Sequence, residues 1–140
     1  MVMELIEGGP LLRFCNKESG ISLGRRLTIG AECWKGLDFI HSQKLCHCDL
    51  HPGNVLVSDD LRGVKICDFG LAQVKEVMTK TQGTKVGYET VYYDPPEKIL
   101  DSKRNPRKSD VYSMGLTLTG LYAKRLFWTD DDDETMNHCR

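Results

Sequence analysis

The sequence lacks any run approaching the roughly 18 consecutive apolar residues that a membrane-spanning helix needs. Its opening, Met1-Val2-Met3-Glu4-Leu5-Ile6-Glu7, has no basic residue and no extended apolar core, so no secretory leader is expected. It also lacks an excess of either charge. Lys and Arg number 19 and Asp and Glu number 20, leaving −1 with His neutral. That balance excludes a nucleic-acid binder relying on a broad basic face. No internal repeat is present, which argues against a solenoid. What remains is globular composition, 40% hydrophobic and 28% charged. The 140 residues amount to one domain or a piece of one.

Six cysteines occur, at 15, 33, 46, 48, 67 and 139. Without a secretory leader they read as reduced thiols, several of them small hydrophobes in apolar stretches. The expected location is the cytoplasm, or the cytoplasmic part of a larger protein. Cys46-His47-Cys48-Asp49-Leu50-His51 could be taken for a metal cluster. Zinc sites, however, usually draw ligands from two separated pairs, and no second pair is present.

Residues 1–6 read as a short strand, broken by Gly8-Gly9-Pro10. A helix is expected over 22–42. Leu23, Leu27, Ala31, Trp34, Leu37 and His41 recur at three- and four-residue steps and define its predicted apolar face. Val55-Leu56-Val57 and Val64-Lys65-Ile66-Cys67 flank a polar turn and read as two strands of a hairpin. Residues 68–97 show no periodicity and are expected to form a long ordered loop. A second helix is expected over 108–123, with Ser109 or Asp110 near its start. The acidic run Asp130 to Glu134 reads as a solvated tail.

The chemistry concentrates in His47-Cys48-Asp49-Leu50-His51-Pro52-Gly53-Asn54. Asp49 lies five residues before Asn54, directly ahead of a predicted strand. Asp68-Phe69-Gly70 begins fourteen residues after Asn54, directly after another strand. Two carboxylates and an amide on adjacent strand ends suit phosphoryl transfer. One carboxylate orients an attacking hydroxyl, while hard oxygens hold magnesium against phosphates.

These motifs resemble the eukaryotic protein kinase family, over nearly the whole chain. His47 to Asn54 resembles the H-R-D-x-x-x-x-N catalytic loop, and Asp68-Phe69-Gly70 the D-F-G motif. Tyr93-Asp94-Pro95-Pro96-Glu97 resembles A-P-E with Pro for Ala. Ser109-Asp110-Val111-Tyr112-Ser113-Met114-Gly115 resembles the start of the large central helix. Residues 1–9 resemble the last small-lobe strand and the hinge. The implied fold is α+β: a mainly helical kinase-like large lobe with a small β-hairpin, truncated at both ends. The implied reaction is transfer of the ATP γ-phosphate to Ser or Thr of a protein substrate, with Mg2+. On this match Asp49 is the catalytic base. Asn54 and Asp68 are the magnesium ligands, and Thr90 sits near the base in the substrate loop. Met3 would be the gatekeeper, and the Glu4, Leu5 and Ile6 backbone would meet adenine. Leu56 and Cys67 would complete the ATP site. His47, Phe69, Gly70, Glu97 and Asp110 would have structural roles. His47 would stack on Phe69, and Asp110 would accept hydrogen bonds from the catalytic-loop backbone.

The departures from the family are specific. Cys48 replaces the Arg that commonly receives a phosphorylated activation loop, so activity should not depend on that pairing. His51 replaces a Lys aimed at the transferred phosphate. The Gly-rich loop, the strand Lys and its helix Glu are absent from this stretch, and Lys35, Lys44 and Lys65 are not substitutes. Lys65 is expected to be solvated, and Glu97 to lack its usual Arg partner. Apolar surface left uncovered could take other kinases or regulators as partners. Two alternatives stand beside the kinase reading. One is a non-catalytic kinase-like binding module. The other is a small-molecule phosphotransferase, since Asp49-Leu50-His51-Pro52-Gly53-Asn54 also resembles the D-L-H-P-G-N of aminoglycoside- and choline-kinase-like enzymes.

Overall fold

The computed structural model describes residues 4–15, 20–74, 92–97 and 105–125. A single 3-10 turn, Leu11–Phe14, leads to helix α1, Leu23–Ser42. Strand β1, Leu45–Cys46, follows, then β2, Val55–Val57, β3, Val64–Ile66, and β4, Gln73–Val74. Helix α2, Pro106–Ala123, closes the described chain. The strands form two antiparallel pairs, β1 with β4 and β2 with β3.

Helix α1 starts where Ser22 accepts a hydrogen bond from the Arg25 amide, a serine N-cap. Its buried residues are Arg26, Ile29, Gly30, Cys33, Leu37, Ile40 and His41. This corrects the face expected from periodicity, of which only Leu37 and His41 turn inward. Leu23 is 64% exposed, Leu27 54% and Trp34 40%. The reason is steric. The Tyr122 side chain of α2 reaches over Gly30 and fills the space a Cβ there would take. A count of large apolar residues ranks Leu and Trp above Gly and Cys, so it selects the neighbouring stripe.

Arg26 is buried. Its Nε donates to the Ile21 carbonyl and its Nη1 to the carbonyls of Phe14 and Leu121. One guanidinium thereby ties the 3-10 turn, the entry to α1 and the last turn of α2. A fork of fixed donors satisfies carbonyls from three segments, including one that a helix end leaves open. The core beneath it joins Leu11, Cys15, Ile29, Cys33 and Leu37 to Leu50, Val55, Val57, Met114, Leu118 and Leu121.

The hairpin lies where expected, with Val55 opposite Ile66, Leu56 opposite Lys65 and Val57 opposite Val64. Its turn is closed by the Ser58 hydroxyl, which receives the Gly63 amide and donates to Asp60. Three other expectations need correcting. Residues 4–6 are not in a strand, and residues 1–3 of that expected strand lie outside the described residues. Residues 73 and 74 are a strand within the stretch expected to be loop. Two residues are too few to show a period of two. Helix α2 begins at Pro106 behind an Asn105 cap that accepts from the Arg107 amide. Ser109 and Asp110 therefore lie inside the helix and are buried. The described cysteines, 15, 33, 46, 48 and 67, form no disulfide.

Two predictions follow from this core. Arg26→Met keeps most of the stem but strands three carbonyls, and should lower unfolding free energy by about 2–4 kcal/mol. A urea midpoint equal to wild type would contradict the clamp. Burial, opposed by Arg26, pushes the Cys15 thiol up to about 11. Burial first, then neighbouring Cys15, pushes Cys33 up to about 12. The folded chain thus holds these protons more tightly than the unfolded chain. Their stabilising effect is complete at neutral pH and is lost as pH rises above about 9. Urea midpoints measured from neutral to alkaline pH should fall, and Cys33→Val should flatten that fall.

Candidate active site

The site is assembled around one carboxylate. Asp110, 1% exposed on the second turn of α2, accepts three hydrogen bonds. The Cys48 amide donates to Oδ1 at 2.8 Å and the His47 amide to Oδ2 at 2.9 Å. His41 Nε2 lies 2.8 Å from the same Oδ2. Donors from the end of α1 and from the loop after β1 are thereby fixed to α2. Cys48 sits at φ 68°, a left-handed conformation that costs a non-glycine residue about 1–2 kcal/mol. The Asp110 bond to its amide helps hold it there.

His47 is fully buried and orders the next layer. Its Nδ1 accepts the Asp49 amide at 3.3 Å, so the ring proton lies on Nε2, which donates to the Cys67 carbonyl at 2.9 Å. Its ring lies 4.9 Å from that of Phe69, tilted by 57°. Phe69 itself is 45% exposed, so this contact lies at the edge of the described core.

The hairpin brings the remaining groups together. The Cys67 amide donates to the Asn54 carbonyl at 2.9 Å, extending the β2–β3 pairing by one step. Asn54 and Asp68 therefore leave the same end of the hairpin. The Asn54 amide nitrogen donates to the Asp49 carbonyl at 2.9 Å and lies 3.4 Å from its Oδ2. That orientation turns the Asn54 Oδ1 away from Asp49. Asp68 adopts φ 62° and its Oδ1 accepts the Gly70 amide at 3.1 Å, a local turn suited to Asp. The acid and amide oxygens of Asp68 and Asn54 are hard donors of the kind magnesium takes.

Other expected residues fall around this centre. Leu56 is half-buried and bridges to Pro10. Cys67 is half-buried, and burial, then Asp68, raises its thiol pKa. Leu5 is 80% exposed, and Glu4 lies 3.4 Å from Lys65 Nζ. That pair is exposed, so it contributes little. It still gives Lys65 an acidic neighbour that the sequence reading did not anticipate. Glu97 is exposed after the buried Pro95. Met3 and Thr90 lie outside the described residues, as does Cys139. Two features had no signal in the spacing. His41 meets Asp110 across 69 residues of chain. His51 folds back so that its Nδ1 accepts the Gly53 amide at 3.2 Å. An added Cβ at Gly53 would come within 2.8 Å of that ring. The His51 ring also lies 6.2 Å from that of Tyr93, whose carbonyl accepts the Ser113 hydroxyl. Burial pushes the Tyr93 phenol up to about 12.

A carboxylate, an amide bonded to it and a second carboxylate beside that amide at one hairpin end are groups of the kind that phosphoryl transfer uses. The comparisons agree. The protein kinase domain model matches residues 1–140. A probable serine/threonine-protein kinase of Dictyostelium discoideum is 31% identical, covering 94% of this chain and 15% of its own length. Human receptor-interacting serine/threonine-protein kinase 1 is 33% identical, covering 89% and 20%. The serine/threonine-protein kinase PknA of Mycobacterium tuberculosis is 35% identical, covering 93% and 30%. The chain belongs to the protein kinase family and is a segment of its catalytic domain. It spans less than a third of the length of these relatives. The family generally uses ATP and Mg2+. Among the described residues no helix is long and apolar enough to cross a membrane.

Asp110→Ala should strip the two loop amides of their acceptor. Hydrogen exchange at His47 and Cys48 should accelerate by at least about tenfold, matching the loss of roughly 1.5 kcal/mol or more of protection. Unchanged exchange at both amides would remove Asp110 from this role.

Proposed function

We propose that the protein containing this chain transfers the ATP γ-phosphate to Ser or Thr of protein substrates, with Asp49 as the base. The observation that carries this reading is the Asn54 side chain, which bonds to Asp49 while sharing a hairpin end with Asp68. The relatives, all named serine/threonine-protein kinases, support the serine/threonine preference. In this reading the described helices and the hairpin belong to the large lobe. Glu4, Leu5 and Ile6 lie in the hinge beside adenine, with Leu56 and Cys67 completing the pocket.

Each residue then has a defined task. Asp49 orients the substrate hydroxyl and accepts its proton as the oxygen attacks. Asn54 and Asp68 would hold magnesium, which when bound neutralises charge on the phosphates. Asn54 also fixes Asp49 through its amide nitrogen, so base and metal donor share one rigid contact. His51 offers a ring whose Nδ1 is engaged by the Gly53 amide, leaving Nε2 as its proton-bearing donor when neutral. Thr90 would lie in the substrate loop near Asp49. Cys48 has no charge with which to receive a phosphorylated loop, so turnover does not rest on that pairing.

The test uses the longer protein that includes this chain, with labelled ATP and a generic protein substrate. Asp49→Asn should lower turnover by about 10²–10⁴-fold with nucleotide affinity nearly unchanged. Asp68→Ala should instead weaken nucleotide binding, and only when magnesium is present. Wild-type turnover in Asp49→Asn would overturn the base assignment. Equal loss of binding with and without magnesium would overturn the ligand assignment.

A further inference from the structure

Helix α2 holds the catalytic loop through Asp110, and a second line of contacts joins the two by way of residue 93. Ser113 is buried on α2, and its hydroxyl donates to the Tyr93 carbonyl at 2.7 Å. The Ser109 carbonyl, one turn back, lies further from it at 3.0 Å. The backbone at Tyr93 is thereby tied to the helix. The Tyr93 ring lies 6.2 Å from that of His51, tilted by 39°, within the range over which aromatic rings attract. His51 is itself fixed, since its Nδ1 accepts the Gly53 amide at 3.2 Å. Both rings are half-buried.

His51 and Gly53 are matched. An added Cβ at residue 53 would lie 2.8 Å from Cε1 and 2.9 Å from Nδ1 of the imidazole, and meets no other residue so closely. Gly53 is not among the glycines at positive φ. Its backbone accepts a side chain, and it is the His51 ring that excludes one. A lysine at position 51 has no ring to set against Tyr93 and no acceptor for the Gly53 amide. The histidine therefore makes two contacts that the residue it replaces cannot make.

We propose that His51 is a positioning residue for the protein substrate: its ring braces Tyr93 against the loop that carries Asp49, with Gly53 and Ser113 fixing the two ends of the brace. This rests on the kinase reading above, in which the loop carrying Thr90, three residues before Tyr93, receives the substrate. None of the residues placed beside adenine, Glu4 to Ile6, Leu56 and Cys67, belongs to the brace. Its loss therefore falls on the protein substrate and not on ATP.

The test uses the longer protein that includes this chain, with KM for a protein substrate and KM for ATP measured separately. Tyr93→Leu, His51→Leu and Gly53→Ala should each raise KM for the protein substrate by about 2- to 12-fold, the range a ring contact supports, with KM for ATP as in wild type. Tyr93→Leu combined with His51→Leu should cost no more than the larger single change, because both remove one contact. Ser113→Ala should raise the same KM, and Ser113→Thr, which keeps the hydroxyl, should restore it. Amide exchange at His47 and Cys48 should stay at the wild-type rate, showing that the Asp110 tie is intact. Gly53→Ala carries the test should Tyr93→Leu not fold. Additive effects of the two ring variants, or an equal rise in KM for ATP, overturn the brace. If wild type transfers no phosphate, the kinase reading fails separately, and the brace is then read from the His51 ring. Its Cε1 proton resonance, displaced by the field of the Tyr93 ring, should move in Tyr93→Leu, and an unmoved resonance overturns the contact.

Discussion

The Asp110 carboxylate is the contact on which the rest of the site depends. It is buried, and a buried carboxylate is tolerable only when its lone pairs are filled. Three donors fill them: the amides of His47 and Cys48 and the ring of His41. The partners come from two places in the chain, the loop and the end of α1, so satisfying one group on α2 fixes all three relative to one another. The strained backbone at Cys48 persists because this acceptor over-determines it.

From that anchor, order passes outward from group to group. The His47 backbone is held by Asp110, and its ring then holds the Asp49 amide and the Cys67 carbonyl. Cys67 is paired with Asn54 across the hairpin, and Asn54 reaches Asp49. The path closes on itself. Asp49 is positioned from both sides, by its own amide and by its carbonyl and carboxylate. The strands involved are only two or three residues long, too short to be stable alone. They persist because side-chain bonds at their ends and the core under Val55 and Val57 hold them.

Much of the site was legible in the chain. The hairpin was visible because branched apolar residues flank a polar turn, and its ends locate Asn54 and Asp68. Asp49 and Asp68-Phe69-Gly70 were visible as ordered motifs. The packing face of α1 was not. Gly30 turns inward beneath the Tyr122 side chain of α2, Cys33 joins the core, and Arg26 supplies donors to three carbonyls. A hydrophobic count assigns none of these inward. Helix α2 starts at Pro106, two residues ahead of the expected 108. Asn105 caps it there, and Asp110 turns inward.

The sequence alone determined which acids and amide are available, their order, and the hairpin that carries two of them. Those are local properties, set by residue type and by spacings of a few positions. Only the tertiary structure decided what meets across long separations. His41 and Asp110 lie 69 residues apart, and Arg26 and Leu121 lie 95 apart. No local period encodes such pairings. They arise when a buried charge and the open carbonyls at helix ends must find partners once water has been excluded.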